Sequence, residues 1–288
     1  MNRFLKHAVW ALLGLAALAS PVFGTTLRPL RASAEASLLV TGQVTVGPDG
    51  RVRHYQIDDA KKLDPAVLDL IAKGAAAWRF KPVMLDGHPV AAQAHMSLRI
   101  VAQHIAGDRY QLTIHGAQFG RHHRVVSLDP HHRRAPMYPT YGLALRAGAY
   151  VYMALRVNST GRVADAAVTQ VNLTVLGSAG QMARLRSAFA AASLDADKRW
   201  RFDVAKGAIP AGGYRTVFVP VSYRIHDSNN DLSSKGPVWH AYIPGPTHTV
   251  PWLQRPLLAS SDIDAMPDHG LYDPKTALTL LAGLPASH

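Results

Sequence analysis

The hydrophobic and polar positions of the chain predict a β-hairpin followed by a helix in the segment that begins near residue 35. Residues 38–46 are rich in Leu, Val and Thr, which is typical of a strand. Residues 47–50 read Gly-Pro-Asp-Gly, a turn sequence, and residues 51–57 then alternate between two faces as a half-buried strand does. Asp64 before Pro65 predicts the start of a helix, whose apolar positions share one face.

This predicted helix leads into a Trp-Arg-Phe sequence and a returning strand. Trp78 is expected to be a core anchor where the helix passes into the sheet, rather than a ligand platform. A turn at Asp86-Gly87 follows, and residues 90–101 predict the final strand of the unit. Residues 109–114 predict one more strand.

A second segment repeats the pattern. Residues 150–157 and 163–171 predict two strands around a turn that contains Gly161. A helix is expected from Ser178 or Ala179 to Ala192, after which Trp200 opens a second Trp-Arg-Phe sequence. Residues 200–204 and 216–225 predict the closing strands, and Trp200 is again expected in the core.

The shared order of elements indicates two copies of one fold unit. The predicted fold class is α+β: two tandem β-β-α-β units, each an antiparallel sheet packed on a helix, followed by an extended tail. A repeated fold without shared catalytic polar residues favours binding over chemistry. The predicted parts are a signal peptide, a linker, a first unit, a basic His-rich connection, a second unit, and a Pro- and aromatic-rich tail, at residues 1–24, 25–34, 35–104, 105–135, 136–226 and 227–288.

The tail loses the repeated pattern. Five prolines fall within residues 237–256, with Trp and Tyr residues among them, which predicts an extended segment. We expect its aromatic side chains to cover the outside of the second unit. Residues 274–282 predict a short helix.

The N-terminal residues and the charge place the protein in the cell envelope. Arg3 and Lys6 precede an uncharged run of about 12 residues, which is typical of a cleaved signal peptide and too short for a membrane span. The expected location is therefore the periplasm, and nucleic acid is not an expected partner. The formal charge of +12 has two open interpretations: binding to an anionic surface of the envelope, or a basic composition without a binding role. Because the chain contains no cysteine, its sequence excludes thiol catalysis and thiolate metal sites.

No catalytic residue, metal site or cofactor is expected, and the protein is interpreted as a non-enzyme. Two His pairs, at residues 122–123 and 131–132, lack a supporting carboxylate pattern. The carboxylate pairs Asp58-Asp59 and Asp195/Asp197 are expected to be caps or solvated groups. Two glycosylation sequons, at Asn158 and Asn172, are given no role.

Several phrases in this order resemble the C-terminal domain of the TonB family. The first unit carries a Pro-Asp-Gly-Arg-Val turn and Trp-Arg-Phe-Lys-Pro, and the second carries Pro-x-Tyr-Pro, a Gly-Arg-Val turn and Trp-Arg-Phe. The resemblance implies that an extended peptide, for example from an outer-membrane transporter, adds as a strand to a sheet edge. The last strands of the two units are the implied edges, and the implied partner-binding residues are Met96, Leu98, Ile100, Phe218, Val221 and Tyr223.

The expected function is therefore protein binding in the envelope, linked to outer-membrane transport. Two alternatives remain open. One is a membrane-anchored energy transducer, which requires that the N-terminal helix is retained. The other is binding to peptidoglycan or anionic lipid through a basic loop that contains Arg121, Arg124, Arg133 and Arg134. The sequence leaves the oligomeric state open.

Overall fold

The computed structural model describes residues 35–106, 109–120, 126–128, 135–225, 237–253, 265–266, 271–272 and 278–282. The predicted signal peptide and linker lie outside these residues. Every strand pair among them is antiparallel, and helices accompany the sheets, which confirms the α+β class. No helix in these ranges combines the length and apolar composition that crossing a bilayer requires.

The first sheet has five strands. Its order is β13-β1-β6-β7, and β2 pairs with the other end of β1. The strands are β1 (Glu35–Val46), β2 (Val52–Ile57), β6 (Ala92–Ala106), β7 (Arg109–Gly120) and β13 (His240–Tyr242). One face of this sheet packs against helix α1 (Pro65–Ala77).

Helix α1 begins where the sequence predicts. The Asp64 carboxylate accepts a hydrogen bond from Ala66 N–H at 2.8 Å, and Pro65 occupies the first turn, where a missing N–H costs nothing. Val67 and Ile71 are buried against the sheet. Trp78 follows the last turn and is fully buried, so its prediction as a core anchor is confirmed.

The second sheet has three strands in the order β10-β9-β12. They are β9 (Ala149–Asn158), β10 (Val163–Leu173) and β12 (Tyr214–Tyr223). Helix α3 (Ala179–Asp197) covers one face and begins with a capping box, in which Ser178 and Gln181 bond reciprocally. The short helix α2 (Thr140–Ala144) packs on α3, and Trp200 is buried in the same core.

Each Trp-Arg-Phe sequence continues into a short strand that pairs with a distant part of the chain. Strand β3 (Arg79–Phe80) pairs with β14 (Leu280–Ala282) near the C-terminus. Strand β11 (Phe202–Val204) pairs with β8 (Val126–Leu128), which lies in the connection. A small hairpin, β4 (Val83–Leu85) with β5 (His88–Val90), completes the first half.

The described parts of the tail contact both halves of the protein. Val250, Leu253 and Met266 form a third apolar cluster with Tyr152 and Phe218, on the face of the second sheet opposite α3. Trp252 packs against this cluster, which confirms the predicted cover for that residue. Tyr242, in contrast, lies in β13 of the first sheet.

The prediction of a helix over residues 274–282 is wrong for the described residues 278–282, because residues 280–282 form a strand. A short apolar segment can form either a helix or a strand, and its tertiary contacts decide which. Here the segment pairs with the strand Arg79–Phe80 and is therefore extended.

Candidate strand-binding edges

The predicted edge of the first unit is not an edge. Strand β6 pairs with β1 on one side and with β7 on the other. Met96, Leu98 and Ile100 therefore have backbone partners on both sides, and their side chains lie in the core beneath α1. The placement of these three residues at an edge was wrong, because the strand predicted at residues 109–114 continues to residue 120 and covers β6 along its length.

The predicted edge of the second unit is an edge, but the tail occupies part of it. Strand β12 pairs with β9 on one side. On the other, Phe218 N–H donates to the Tyr272 carbonyl at 2.8 Å, and Tyr272 N–H donates back at 2.9 Å. Val221 and Tyr223 point into the core beside α3, whereas Phe218 lies in the cluster on the opposite face. The side chains of all three are therefore already packed.

Pro220 limits what else can pair with this edge. Successive backbone groups of a strand point in opposite directions, so those of residues 218 and 220 both face away from β9. Position 220 has no N–H, and the ladder with β9 loses no hydrogen bond there. A proline in this register is a common protection of an edge strand.

The tail also covers the outer edge of β10. Leu173 and Ile243 exchange two backbone hydrogen bonds, at 3.1 and 2.9 Å, and His248 N–H donates to the Thr169 carbonyl at 2.7 Å. Between them, the buried Asn172 amide donates to the Tyr242 hydroxyl at 2.7 Å and accepts from Gly245 N–H at 2.8 Å. The side chain of Asn172 therefore links the tail to the second sheet through two hydrogen bonds.

Strand β7 has an edge that remains open, within the described residues, along its first part, residues 109–113. Its far end is covered: Leu278 N–H donates to the Phe119 carbonyl at 2.7 Å. Ala117, whose backbone groups point to the same side as that carbonyl, is fully buried. The pairing of β6 with β7 has an irregularity between Arg99 and Ile100. On the N-terminal side of this irregularity in β7, the backbone groups of Leu112 and Tyr110 point away from β6.

Exposed apolar side chains lie beside this open edge. Ile105 is 58% exposed and Tyr110 is 60% exposed. The Tyr110 ring meets the His104 ring edge to face, with centroids 5.4 Å apart. An open strand segment with exposed apolar neighbours is a template for another strand. Strand β2 is also paired on one side only, but its apolar side chains are only partly exposed.

A layer of buried polar side chains joins the two sheets on the faces that their helices leave uncovered. Arg99 of β6 donates to the Ser37 hydroxyl at 2.9 Å and to the Tyr152 hydroxyl of β9 at 3.5 Å. The Ser97 hydroxyl donates to the carbonyl of Ala265 in the tail. These contacts connect both halves and the tail through hydrogen bonds.

Burial shifts the pKa values of four groups in the second half, Tyr138, Arg186, Asp197 and Tyr223, and the last two shifts are large. Asp197 is 3% exposed and one carboxylate oxygen has no hydrogen-bond partner in the described structure, so its predicted solvation was wrong. Burial raises the pKa of Asp197 to about 6, opposed by the positive charge of Lys198. Burial likewise raises the pKa of Tyr223 to about 12, which leaves a neutral hydroxyl 2.8 Å from Ser193.

Only a short part of the basic loop is described, Val126–Leu128, which form β8. Arg121, Arg124, Arg133 and Arg134 all lie outside the described residues, as do the two His pairs. Within the described ranges, no three His, Asp or Glu side chains are grouped closely enough to hold a metal ion. No protein-family model, curated protein or solved structure matches the chain.

Proposed function

We propose that this protein is an exported, non-enzymatic binding protein of the bacterial envelope that takes an extended peptide onto the edge of a sheet. The observation that carries the proposal is the open outward side of β7, within the described residues, next to the exposed side chains of Ile105 and Tyr110. Strand addition uses such an edge: backbone hydrogen bonds supply affinity, and alternate side chains supply selectivity. The resemblance to the TonB C-terminal domain favours the same mode of binding.

The proposal includes a common origin of the two halves as β-β-α-β units. Matching contacts support it. Gly50 and Gly161 both have positive φ, at 76° and 72°. Their carbonyls accept hydrogen bonds from Phe80 N–H at 2.8 Å and Phe202 N–H at 2.9 Å, so each hairpin turn is tied to the strand after its own tryptophan.

The edge of β7 replaces the edges that the sequence favoured. Backbone groups at Tyr110 and Leu112 point outward, which offers hydrogen bonds to a strand of about four residues. Each net hydrogen bond contributes about 0.5–1.5 kcal/mol. Burial of Tyr110 would add apolar contact, because its side chain is more than half exposed. A transporter segment or another envelope protein fits this role.

The edge is tested by crosslinking in living cells. A photo-crosslinking amino acid replaces Tyr110, and a control copy carries it at Leu176, an exposed residue of the second half. Capture is expected from position 110 and not from position 176. A second variant carries the crosslinker at position 110 together with Leu112→Pro. This substitution removes one outward N–H of β7 and should abolish capture of the partner. Leu112→Ala keeps that N–H and should retain most of it.

Capture that persists in the Leu112→Pro protein would contradict the proposal, provided that its melting temperature matches that of Leu112→Ala. Hydrogen exchange gives a second readout on the purified complex. The N–H of Leu112 should become protected, because a paired strand accepts it. Unchanged exchange at this position would place the partner elsewhere.

Export is tested separately. Sequencing the N-terminus of the mature protein from cell fractions is expected to find a start near Ser20 or Thr25 and recovery from the periplasm. A retained N-terminus in the membrane fraction would support the anchored alternative instead.

A further inference from the structure

A segment near the C-terminus binds the first half as an extended peptide would. Residues 278–282, called here the C-terminal arm, contact two strands of that half. Leu278 N–H donates to the Phe119 carbonyl at 2.7 Å, and the Thr279 carbonyl accepts from Lys81 N–H at 2.9 Å. Leu280 then pairs with Phe80. The arm thus lies between β3 and the end of β7 and has backbone partners on both sides.

The arm side chains alternate as those of a bound strand do. Leu278 is 6% exposed and belongs to the core of the first half, together with Phe80 and Phe119. Leu280 packs against the same core. Thr279, between these inward positions, is exposed, and Leu281, which follows them, is 63% exposed. Two leucines two positions apart therefore anchor the arm, and the residues next to them face outward.

The arm reaches this place from a remote part of the chain. Tyr272, its nearest described predecessor, is hydrogen-bonded to Phe218 in the second sheet. The chain is thus hydrogen-bonded to the second half at Tyr272, and the arm that follows packs in the first half. Its covalent attachment to the same chain makes its binding in this place intramolecular, which raises its effective concentration over that of a separate peptide.

We propose that the groove formed by β3, Lys81 and the Phe119 end of β7 is a binding site for an extended segment of a partner protein with two leucines two positions apart. The C-terminal arm occupies this groove in the isolated protein and competes with that partner. The site goes beyond the function proposed above, because it uses β3 and the apolar core rather than the open portion of β7. The fit is shown by the arm itself: two anchoring leucines and three backbone contacts.

Release of the arm in the full chain tests the site. Leu278→Asp combined with Leu280→Asp removes both anchors, and the matched control is Leu281→Asp, in the same arm but exposed. The probe is a fluorescent synthetic peptide with the sequence of residues 276–284, and fluorescence anisotropy measures its binding. The released variant is expected to bind at least about tenfold more tightly than the unaltered chain, because the competing arm is gone. Leu281→Asp should bind like the unaltered chain.

Equal affinity of the released and unaltered chains would overturn the proposal. So would equal binding of a control peptide in which the leucines at positions 278 and 280 are replaced by aspartate. Failure of crosslinking at Tyr110 has no bearing on this result, since the peptide assay does not use the open portion of β7.

Hydrogen exchange on the unaltered chain keeps the inference testable if the double variant does not fold. Lys81 N–H is bonded to the arm, whereas Leu98 lies within the β1–β6 ladder. If the arm can leave its groove while the rest of the protein stays folded, the N–H of Lys81 should exchange at least about tenfold faster than the N–H of Leu98. Equal rates would mean that the arm leaves only when the whole protein unfolds, and a partner could not then replace it.

Discussion

Gly161 lies against the backbone of Phe202. Phe202 N–H donates to the Gly161 carbonyl at 2.9 Å, and a Cβ at position 161 would overlap the Phe202 carbonyl oxygen. The φ angle of Gly161 is 72°, which other residues adopt at a cost. The hairpin between β9 and β10 is thereby tied to the strand that follows Trp200.

Replacement of Gly161 should therefore destabilise the protein strongly. Gly161→Ala adds both a left-handed backbone penalty of about 1–2 kcal/mol and a clash with fixed backbone. The matched control is Gly87→Ala, where φ is 82° but a Cβ would meet nothing within 4 Å. Chemical denaturation should show at least about 2 kcal/mol more loss for Gly161→Ala. Equal losses would mean that the contact with Phe202 is unimportant.

Asn172 should hold the tail on the second sheet. Asn172→Leu removes the donor to Tyr242 and the acceptor for Gly245, and we expect a loss of about 2–4 kcal/mol in the free energy of unfolding. Tyr242→Phe removes one of the two bonds and should cost about half as much. The control is Tyr110→Phe at an exposed ring, with almost no cost.

Limited proteolysis provides a direct readout of the tail. Cleavage within residues 237–253 should become faster in Asn172→Leu than in the unaltered protein. Unchanged cleavage together with a large loss of stability would show that Asn172 supports the core rather than the tail.

Asp197 should make the protein less stable as pH rises. Its pKa of about 6 in the folded state exceeds the value of 3.8 for an ordinary aspartate, so between these values the folded state binds more protons than the unfolded state. The free energy of unfolding should fall from pH 4 to pH 7, by up to about 3 kcal/mol. Lys198 and Asp195 are the charged neighbours, acting in opposite directions.

Asp197→Asn should remove this part of the pH dependence, and Asp203→Asn, at an exposed position of β11, should leave it intact. Denaturation at pH 4, 5.5 and 7 measures both. A slope in Asp197→Asn equal to that of the unaltered protein would contradict the assignment.

Pro220 should contribute to stability, because it is buried on the side of β12 that faces away from β9. Pro220→Val keeps the ladder with β9 but adds an N–H in this buried position. A buried N–H without an acceptor costs about 1–3 kcal/mol, and we expect a loss of that size in the free energy of unfolding. Pro210→Val, at an exposed position, is the control and should lose less. Chemical denaturation measures both variants, and equal losses would contradict this role of Pro220.

Local signals in the sequence predicted the elements that local chemistry determines. Asp64 and Ser178 mark the starts of α1 and α3, because each side chain caps nearby backbone N–H groups. The two turn glycines and the two buried tryptophans were also predictable, since they depend on backbone conformation and on apolar size.

Which edges remain open depended on pairing between residues far apart in the chain. Strand β7 covers β6, Tyr272 pairs with Phe218, and the short strand Leu280–Ala282 pairs with Arg79–Phe80. Three-residue strands carry too little periodicity to be predicted. The sequence by itself therefore determined the hairpins, helices α1 and α3, and the core faces of these two helices. Only the tertiary structure decided which backbone groups the tail and arm satisfy, because a hydrogen bond between strands requires proximity that sequence order does not record.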